Sequence, residues 1–553
     1  MKQRNKTKFF TMLLAMILAL CLLNACASSV APAEGTPNVP GSDINADSND
    51  PQSPPSEAPG AEPEYDAPAE DAPGGYWDTE SDKMPAIPSN GENVGNESYT
   101  EIIENAFVNA AETPNSYFSI DANTASYPNL RSMIQNGYLS IPKDAVRIEE
   151  MLNYFNYDYQ APTDGSMFSL TSSVFDTPYH AETKLLTIGL AAQKIEFENV
   201  QNNLVFLLDV SGSMYDSDKL PLIQQAFTLL AENLNPNDRI SIVTYASGDR
   251  VVLDGARGDE TQKIIAAIES LEAGGSTAGS RGIQKAYELA LQYFIEGGNN
   301  RVILATDGDF NVGISNTTEL GNLIAQKRQT GIYFSVIGVG RGNLKSDKME
   351  TLALQGNGTY HYIDSVKEAK RALVEEIGGS MVTVARDVKA GISFNPEYVE
   401  SYRLIGYENK KLSQDQFEDE NTDAGEIGSG HTLTVVYEIK LTDKALAAGE
   451  HIAQVILRYK PTENSEGDTE TKEVVLDVKT EAYHAERTDT DTFVAGVVEF
   501  GLLLRESEYK GQADLDALIA RLRTLDLAND EFKQEFVDLV ATFREIYLVS
   551  RHP

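Results

Sequence analysis

In the stretch FLLDVSGSM, which begins at Phe206, Asp209, Ser211 and Ser213 stand two residues apart. The apolar run before them has the texture of a strand covered on both faces. Asp209 therefore falls at a strand's carboxyl end, where open α/β sheets carry their functional crevice. In chain that is still extended, alternate residues point the same way. Gly212 is expected to allow a sharp turn that swings both hydroxyls toward one centre, facing solvent at the sheet edge. Two more loops offer matching groups: GGSTAGS places Thr277 just before a helical pattern, and LATDGDF ends a later strand on Asp307. All five are hard oxygen donors. They suit a divalent cation, Mg2+ first and Mn2+ or Ca2+ as alternatives, whereas soft metals would want Cys or His.

DVSGSM, GGSTAGS and ATDGDF together resemble the metal-ion-dependent adhesion site of von Willebrand factor type A domains, a resemblance that covers roughly residues 203–379. A lone DxSxS is an ordinary polar turn, but three loops in matched order are specific. The resemblance implies that Ser211, Ser213 and Thr277 bind the ion directly while Asp209 and Asp307 act largely through water. Such an ion keeps an open position that an acidic side chain of a protein partner can complete. The flanking segments, YFSIDANTASYPNLRSMIQNGYLSIPKDAVRIEEMLNYFNY before and FNPEYVESYRLIGYENK after, look like those of a group of bacterial type A domain proteins. They extend the resemblance over nearly all of 98–553.

The elements that must position these loops are legible as an alternation. The runs LVFLLD, RISIVTYA, RVVLDG, RVILATD, IYFSVIGVG and TYHYI read as strands, and most are separated by stretches with apolar residues three and four apart, as in PLIQQAFTLLAENL and GIQKAYELALQYF. The pattern predicts a doubly wound, mostly parallel α/β sheet. On either side, FSLTSSVF and KLLTIGLAA before it and HTLTVVYEIKL, EHIAQVILRYK and EVVLDVKTE after it suggest half-buried antiparallel strands. The expected architecture is therefore an α/β unit inserted in, or flanked by, one discontinuous β-sandwich with extra helices. SYTEIIENAFVNAA, from Ser98, reads as a helix, and the chain from about Thr490 as helical again.

The first residues carry four basic groups, a short apolar stretch and the tetrad Leu23-Asn24-Ala25-Cys26, which resembles the lipobox of bacterial lipoproteins. The expected organisation is a signal peptide at 1–25, lipidation at Cys26 and a disordered acidic tether at 26–97. An α+β flanking region at 98–202, the type A domain at 203–380, a β-rich domain at 381–485 that forms a sandwich with 165–200, and a helical region at 486–553 complete it. Twelve of the 22 prolines lie between Ala27 and Glu97, with fifteen acids against the single Lys83, a composition that cannot bury a core. The two cysteines, Cys21 and Cys26, leave no thiol for a disulfide or a metal.

Net charge is −39, and loss of Lys2, Arg4, Lys6 and Lys8 with the signal takes it to −43. Such a surface repels phosphate backbones and anionic lipids, so nucleic acid is not an expected partner and membrane attachment falls to the acyl chains. The six histidines share no metal-ligand spacing, and FEDENTDAGEIGSG lacks the ligand order of a calcium loop. Asp216, Asp218 and Asp309 lie near the site loops as solvated acids or partners of a second cation. No nucleophile elbow or phosphate-binding loop is present. The expected function is cation-mediated binding of a protein partner, in adhesion or envelope assembly on the extracytoplasmic face of a bacterial membrane. The chain is read as a non-enzyme. A metal-dependent hydrolase using Asp209, and a passive envelope scaffold with a structural ion, are the competing readings.

Overall fold

The computed structural model describes residues 96–551, apart from 121, 139, 195–199, 247, 276–279, 309–316, 377–382, 445–448 and 463–469. Its central sheet has six strands in the order Tyr360–Ile363, Tyr333–Val339, Asn299–Thr306, Asn202–Asp209, Arg239–Tyr245 and Asp249–Arg257. The first five run parallel, and Asp249–Arg257 closes one edge as an antiparallel hairpin partner of Arg239–Tyr245. The consecutive apolar runs are explained by two cores. Val205, Leu207, Val302 and Leu304 face helices Ser280–Gln292, Thr317–Arg328 and Ser346–Gln355. Leu204, Phe206, Leu208 and Ile303 face Leu220–Ala231, Thr261–Glu269 and Val366–Lys370 on the other side.

Strand Asn202–Asp209 lies between two parallel neighbours, with the chain continuing to Arg239–Tyr245 on one side and later to Asn299–Thr306 on the other. That is the topological switch point. Asp209 and Asp307 stand at or just past the carboxyl ends of the two strands that flank the switch, where the chain diverges and leaves a crevice.

Two antiparallel sheets flank this unit. One has Val108–Asn109, Val399–Ile405, Thr432–Leu441, Lys184–Ala192 and Phe168–Asp176 in that order. The other has Gly425–Gly428, Thr383–Phe394, His451–Pro461 and Lys472–Lys479, with Asn115–Ser119 paired to Thr383–Phe394. Leu186, Ile188 and Val435 from the first and Val388, Ile392 and Val455 from the second share one apolar core. The two sheets are therefore a sandwich whose strands come from both sides of the α/β unit in sequence, and that unit is inserted into it. Helices Ser126–Gln135, Ile148–Asn153, Asp489–Leu504, Leu515–Leu522 and Glu531–Arg551 add Tyr127, Met151, Phe493, Leu518 and Phe536 to the core that holds Val205, Leu207, Val302 and Leu304. No helix among the described residues is long and apolar enough to cross a membrane.

The segment expected to be a helix from Ser98 is not one: it is extended as far as a two-residue strand at Val108–Asn109. Its hydrogen-bonding groups are taken by distant elements. Ser98 N donates to the Leu344 carbonyl (2.8 Å), Ile102 N to Asp144 Oδ1 (2.8 Å), and the Asn105 amide to the carbonyls of Leu404 (3.1 Å) and Gly406 (3.0 Å). These tertiary partners override the local helical pattern, burying Tyr99 and Ala110 while Ile103 is left exposed. Glu97, the last residue assigned to the tether, is itself buried and accepts from Gly342 N (2.6 Å) and Tyr99 Oη (2.9 Å).

Candidate functional site

Asp209 ends its strand fully buried. Its Oδ1 accepts from Ser211 N (2.9 Å) and its Oδ2 from Thr306 Oγ1 (3.0 Å), so it ties the turn after its own strand to the end of the neighbouring one. Burial raises its pKa above the ordinary value and the Asp307 carboxylate adds to that, against the hydrogen bonds from Ser211 and Thr306 that pull it down. Ser211 is extended and leads into a single 3-10 turn, Gly212–Tyr215. The two serine hydroxyls meet as expected, Oγ to Oγ 2.9 Å. Their exposure differs from expectation: Ser213 is open to solvent but Ser211 is buried, because the chain folds over it and Gly212 N donates to the Gly275 carbonyl (3.1 Å). Gly212 has no left-handed backbone, so the turn is made by the 3-10 geometry rather than by glycine's freedom.

Asp307 is buried beyond the next strand. Its placement depends on Gly308, at φ +120°, where a Cβ would fall 2.2 Å from the Asn343 carbonyl oxygen. Asp307 Oδ2 accepts from Lys219 Nζ (2.8 Å), while Oδ1 is buried with no hydrogen-bond partner among the described residues. Thr277, Asp309 and Cys26 lie outside the described residues. Gly275, two residues before Thr277, and Gly274 are joined by hydrogen bonds to the Asp209 turn (Gly274 N to the Val210 carbonyl, 2.8 Å). The arrangement thus brings Asp209, Ser211, Ser213 and Asp307 together and ties the glycine loop to them. Of the flanking acids, Asp216 is exposed and Asp218 pairs with Arg341 (3.2 Å).

Hydroxyls and carboxylates converge here, and a buried carboxylate oxygen is left over. This donor set fits a hard divalent cation, with Ser211, Ser213 and Asp307 as the described groups that would hold it. Among the described residues no group of three or more His, Cys, Asp or Glu side chains could hold a metal, so a transition-metal site of that kind is not present there.

Sequence reasoning missed Lys219 and Thr306. Lys219 had a readable signal: it is a cation directly before the apolar start of a helix, LPLI, where the helix dipole disfavours positive charge unless an anion compensates it.

Residues 203–376 match the family model of the von Willebrand factor type A domain, residues 93–187 that described as von Willebrand factor, and residues 379–546 that described as uncharacterized protein YfbK, C-terminal. The chain is 39% identical over 390 residues to uncharacterized protein YfbK of Escherichia coli (strain K12), covering 69% of this chain and 67% of that protein. It is 27% identical over 205 residues to uncharacterized protein sll0103 of Synechocystis, covering 36% and 47%. Among solved structures, a von Willebrand factor type A protein from Catenulispora acidiphila aligns with a TM-score of 0.38 at 18% identity, covering 70% of this chain and 91% of that one. The ArnB paralog VWA2 from Sulfolobus acidocaldarius aligns at 0.33 and 15%, covering 69% and 96%. With its type A unit matched, its carboxy-terminal region matched and more than two thirds of its length aligned to YfbK, the chain belongs to the YfbK family of bacterial von Willebrand factor type A domain proteins.

Proposed function

We propose that this protein is held by a lipid on Cys26 at the extracytoplasmic face of a bacterial membrane and binds a protein partner through a divalent cation, most readily Mg2+. Ser211, Ser213, Thr277 and Asp307 hold the ion, Asp209 acts on it through water, and an acidic side chain of the partner completes its coordination. The observation that carries this reading is Asp307 Oδ1, a carboxylate oxygen buried without a hydrogen-bond partner among the described residues, beside two hydroxyls 2.9 Å apart. A buried carboxylate oxygen left unpaired costs free energy that a cation would recover. Asp209 is poorly placed to activate water for hydrolysis, since both of its oxygens accept from Ser211 and Thr306.

The test is ion binding first and capture second. Full-length protein in detergent is titrated with Mg2+ and Mn2+, and the double variant Ser211→Ala, Ser213→Ala is expected to bind neither while its melting curve stays near wild type. Partner capture from membranes is expected to require Mg2+, to fail with chelator and to fail with the double variant. Wild-type protein that takes up no divalent ion even with acetate present would refute the cation reading, and capture indifferent to chelator would favour a passive scaffold.

A further inference from the structure

Lys219 sits in an unusual place for a cation. It is buried, 6% exposed, at the amino-terminal boundary of helix Leu220–Ala231, the positive end of that helix's dipole. Its stem runs across Gly340, which has φ +72°. A Cβ there would lie 2.5 Å from Lys219 Cε and 2.6 Å from Cγ, so the backbone is shaped to let the lysine through. At the far end, Lys219 Nζ donates to Asp307 Oδ2 (2.8 Å) and to the Ser213 carbonyl (3.0 Å). A fixed positive charge therefore bridges two of the site's loops, takes one Asp307 oxygen and leaves the other unpaired among the described residues.

We propose that Lys219 is a resident countercharge that weakens the site's affinity for a bare divalent ion and makes ion uptake depend on an anionic ligand carrying a single carboxylate. This rests on the reading of the site as a cation site and deepens it. Two carboxylates and a divalent ion alone would be neutral and would have little attraction for a third carboxylate. With the ammonium present, the loaded site carries one net positive charge, which one ligand carboxylate neutralises. In a poorly solvated crevice a unit charge a few ångströms from the ion is a large term. Ion and ligand therefore bind with positive coupling, and the coupling is reciprocal. Gly340 and the Ser213 carbonyl make the position of the charge a built feature rather than a surface lysine folding in.

The experiment measures Mn2+ affinity of the full-length protein in detergent, in chloride and in acetate at equal ionic strength, for wild type, K219M and K219Q. The glutamine variant keeps an uncharged hydrogen-bond donor in the same channel and so guards against loss of fold in K219M. Wild type is expected to bind Mn2+ weakly in chloride and several-fold more tightly in acetate. Either charge-free variant is expected to bind roughly tenfold or more tightly in chloride, with the acetate effect lost. Equal or weaker Mn2+ binding by folded K219M and K219Q, with wild type binding normally, would overturn the countercharge and make Lys219 a structural pillar. No Mn2+ binding by any of the three would overturn the cation site itself, and the countercharge with it.

Discussion

The guanidinium of Arg131 holds Asp364 by two hydrogen bonds, Nε to Oδ2 at 2.7 Å and Nη2 to Oδ1 at 2.6 Å, with both side chains buried. Arg131 lies on flanking helix Ser126–Gln135, whereas Asp364 immediately precedes the last helix of the type A unit. The same guanidinium also reaches Glu368 (2.9 Å), on that last helix, and Glu535 (2.6 Å), on the carboxy-terminal helix. Tyr154 and Arg371 close the network on Glu368, at 2.6 and 3.0 Å.

Removing one member of a buried ionic network strands the others without compensation. Arg131→Met is therefore expected to cost about 3–5 kcal/mol, since among the described residues Asp364 loses its one cation and Glu368 keeps only Arg371. The measurement is denaturant unfolding of the variant, with Arg131→Met, Asp364→Asn recovering a substantial part of the loss. A loss under about 1 kcal/mol would show that the network does not hold the helix.

The network divides the last helix into two parts. Ser365 caps its start by accepting from Glu368 N (3.1 Å), and Val366–Lys370 is tied to the flanking helices. Arg371–Glu376 then continues as a wider π-helical turn toward the sandwich strand Thr383–Phe394. A ligand's effect on this helix would have to pass the network, which reaches as far as Arg371 through its pairing with Glu368 and so leaves 372–376 as the part outside it. Hydrogen exchange with ion alone and with ion plus acetate is expected to leave 366–371 protected and to change at 372–376. Unchanged protection over the whole helix, with acetate shown to raise Mn2+ affinity, would mean that the site does not communicate through it.

The α/β unit was legible because both faces of its sheet are covered, so each strand wrote a consecutive apolar run such as LVFLLD into the sequence. The sandwich was legible from its two-residue alternation. The site loops stood out in the sequence because three of them carry oxygen donors in matched order, where a lone DxSxS would read as an ordinary polar turn. Three features were not readable. The burial of Ser211 depends on a loop more than sixty residues away, reached through Gly275. The extended path from Ser98 is set by Leu344, Leu404 and Gly406, far along the chain. The Arg131 network joins residues 233 and 404 positions apart, and no local pattern announces such a pairing.

Attachment to the membrane is expected to depend on one sulfur. The described part offers no spanning helix and the whole chain is strongly acidic, so the acyl chains on Cys26 would be the one strong affinity for lipid. Cys26→Ser, expressed at wild-type level, is expected to move from the membrane fraction to the soluble fraction. Retention in the membrane after a high-salt wash would point instead to an uncleaved anchor or a partner.

Where the flanking helix Ile148–Asn153, the sandwich and the type A unit meet, two carboxyls are buried side by side. Burial pushes Glu149 up to about 7, helped by Glu408 and opposed by Arg147 and Arg505. Burial likewise pushes Glu150 up to about 8, against Arg147 and with Glu350 adding to the rise. Arg147 pairs with Glu350 (2.9 Å), Lys410 lies 3.6 Å from Glu350, and Arg505 binds Glu408 (2.5 Å) and approaches Glu104 (3.7 Å). Glu149 Oε2 has no hydrogen-bond partner among the described residues and lies against Gly406. A carboxyl whose folded pKa lies above its unfolded one binds more protons when folded. Its contribution to stability is therefore present in acid and is lost as pH rises from about 4.5 through about 7 to 8. Glu149→Gln removes that slope for one group. The stability of the variant relative to wild type is expected to improve by about 2–3 kcal/mol between pH 5 and pH 8. Lys410, whose ammonium burial holds down to about 7, is present in both proteins and cancels in the difference. Urea unfolding of the two proteins at pH 5, 6, 7 and 8 checks this: parallel curves, or a relative loss on going to pH 8, would mean that Glu149 is already ionised and satisfied in the folded state.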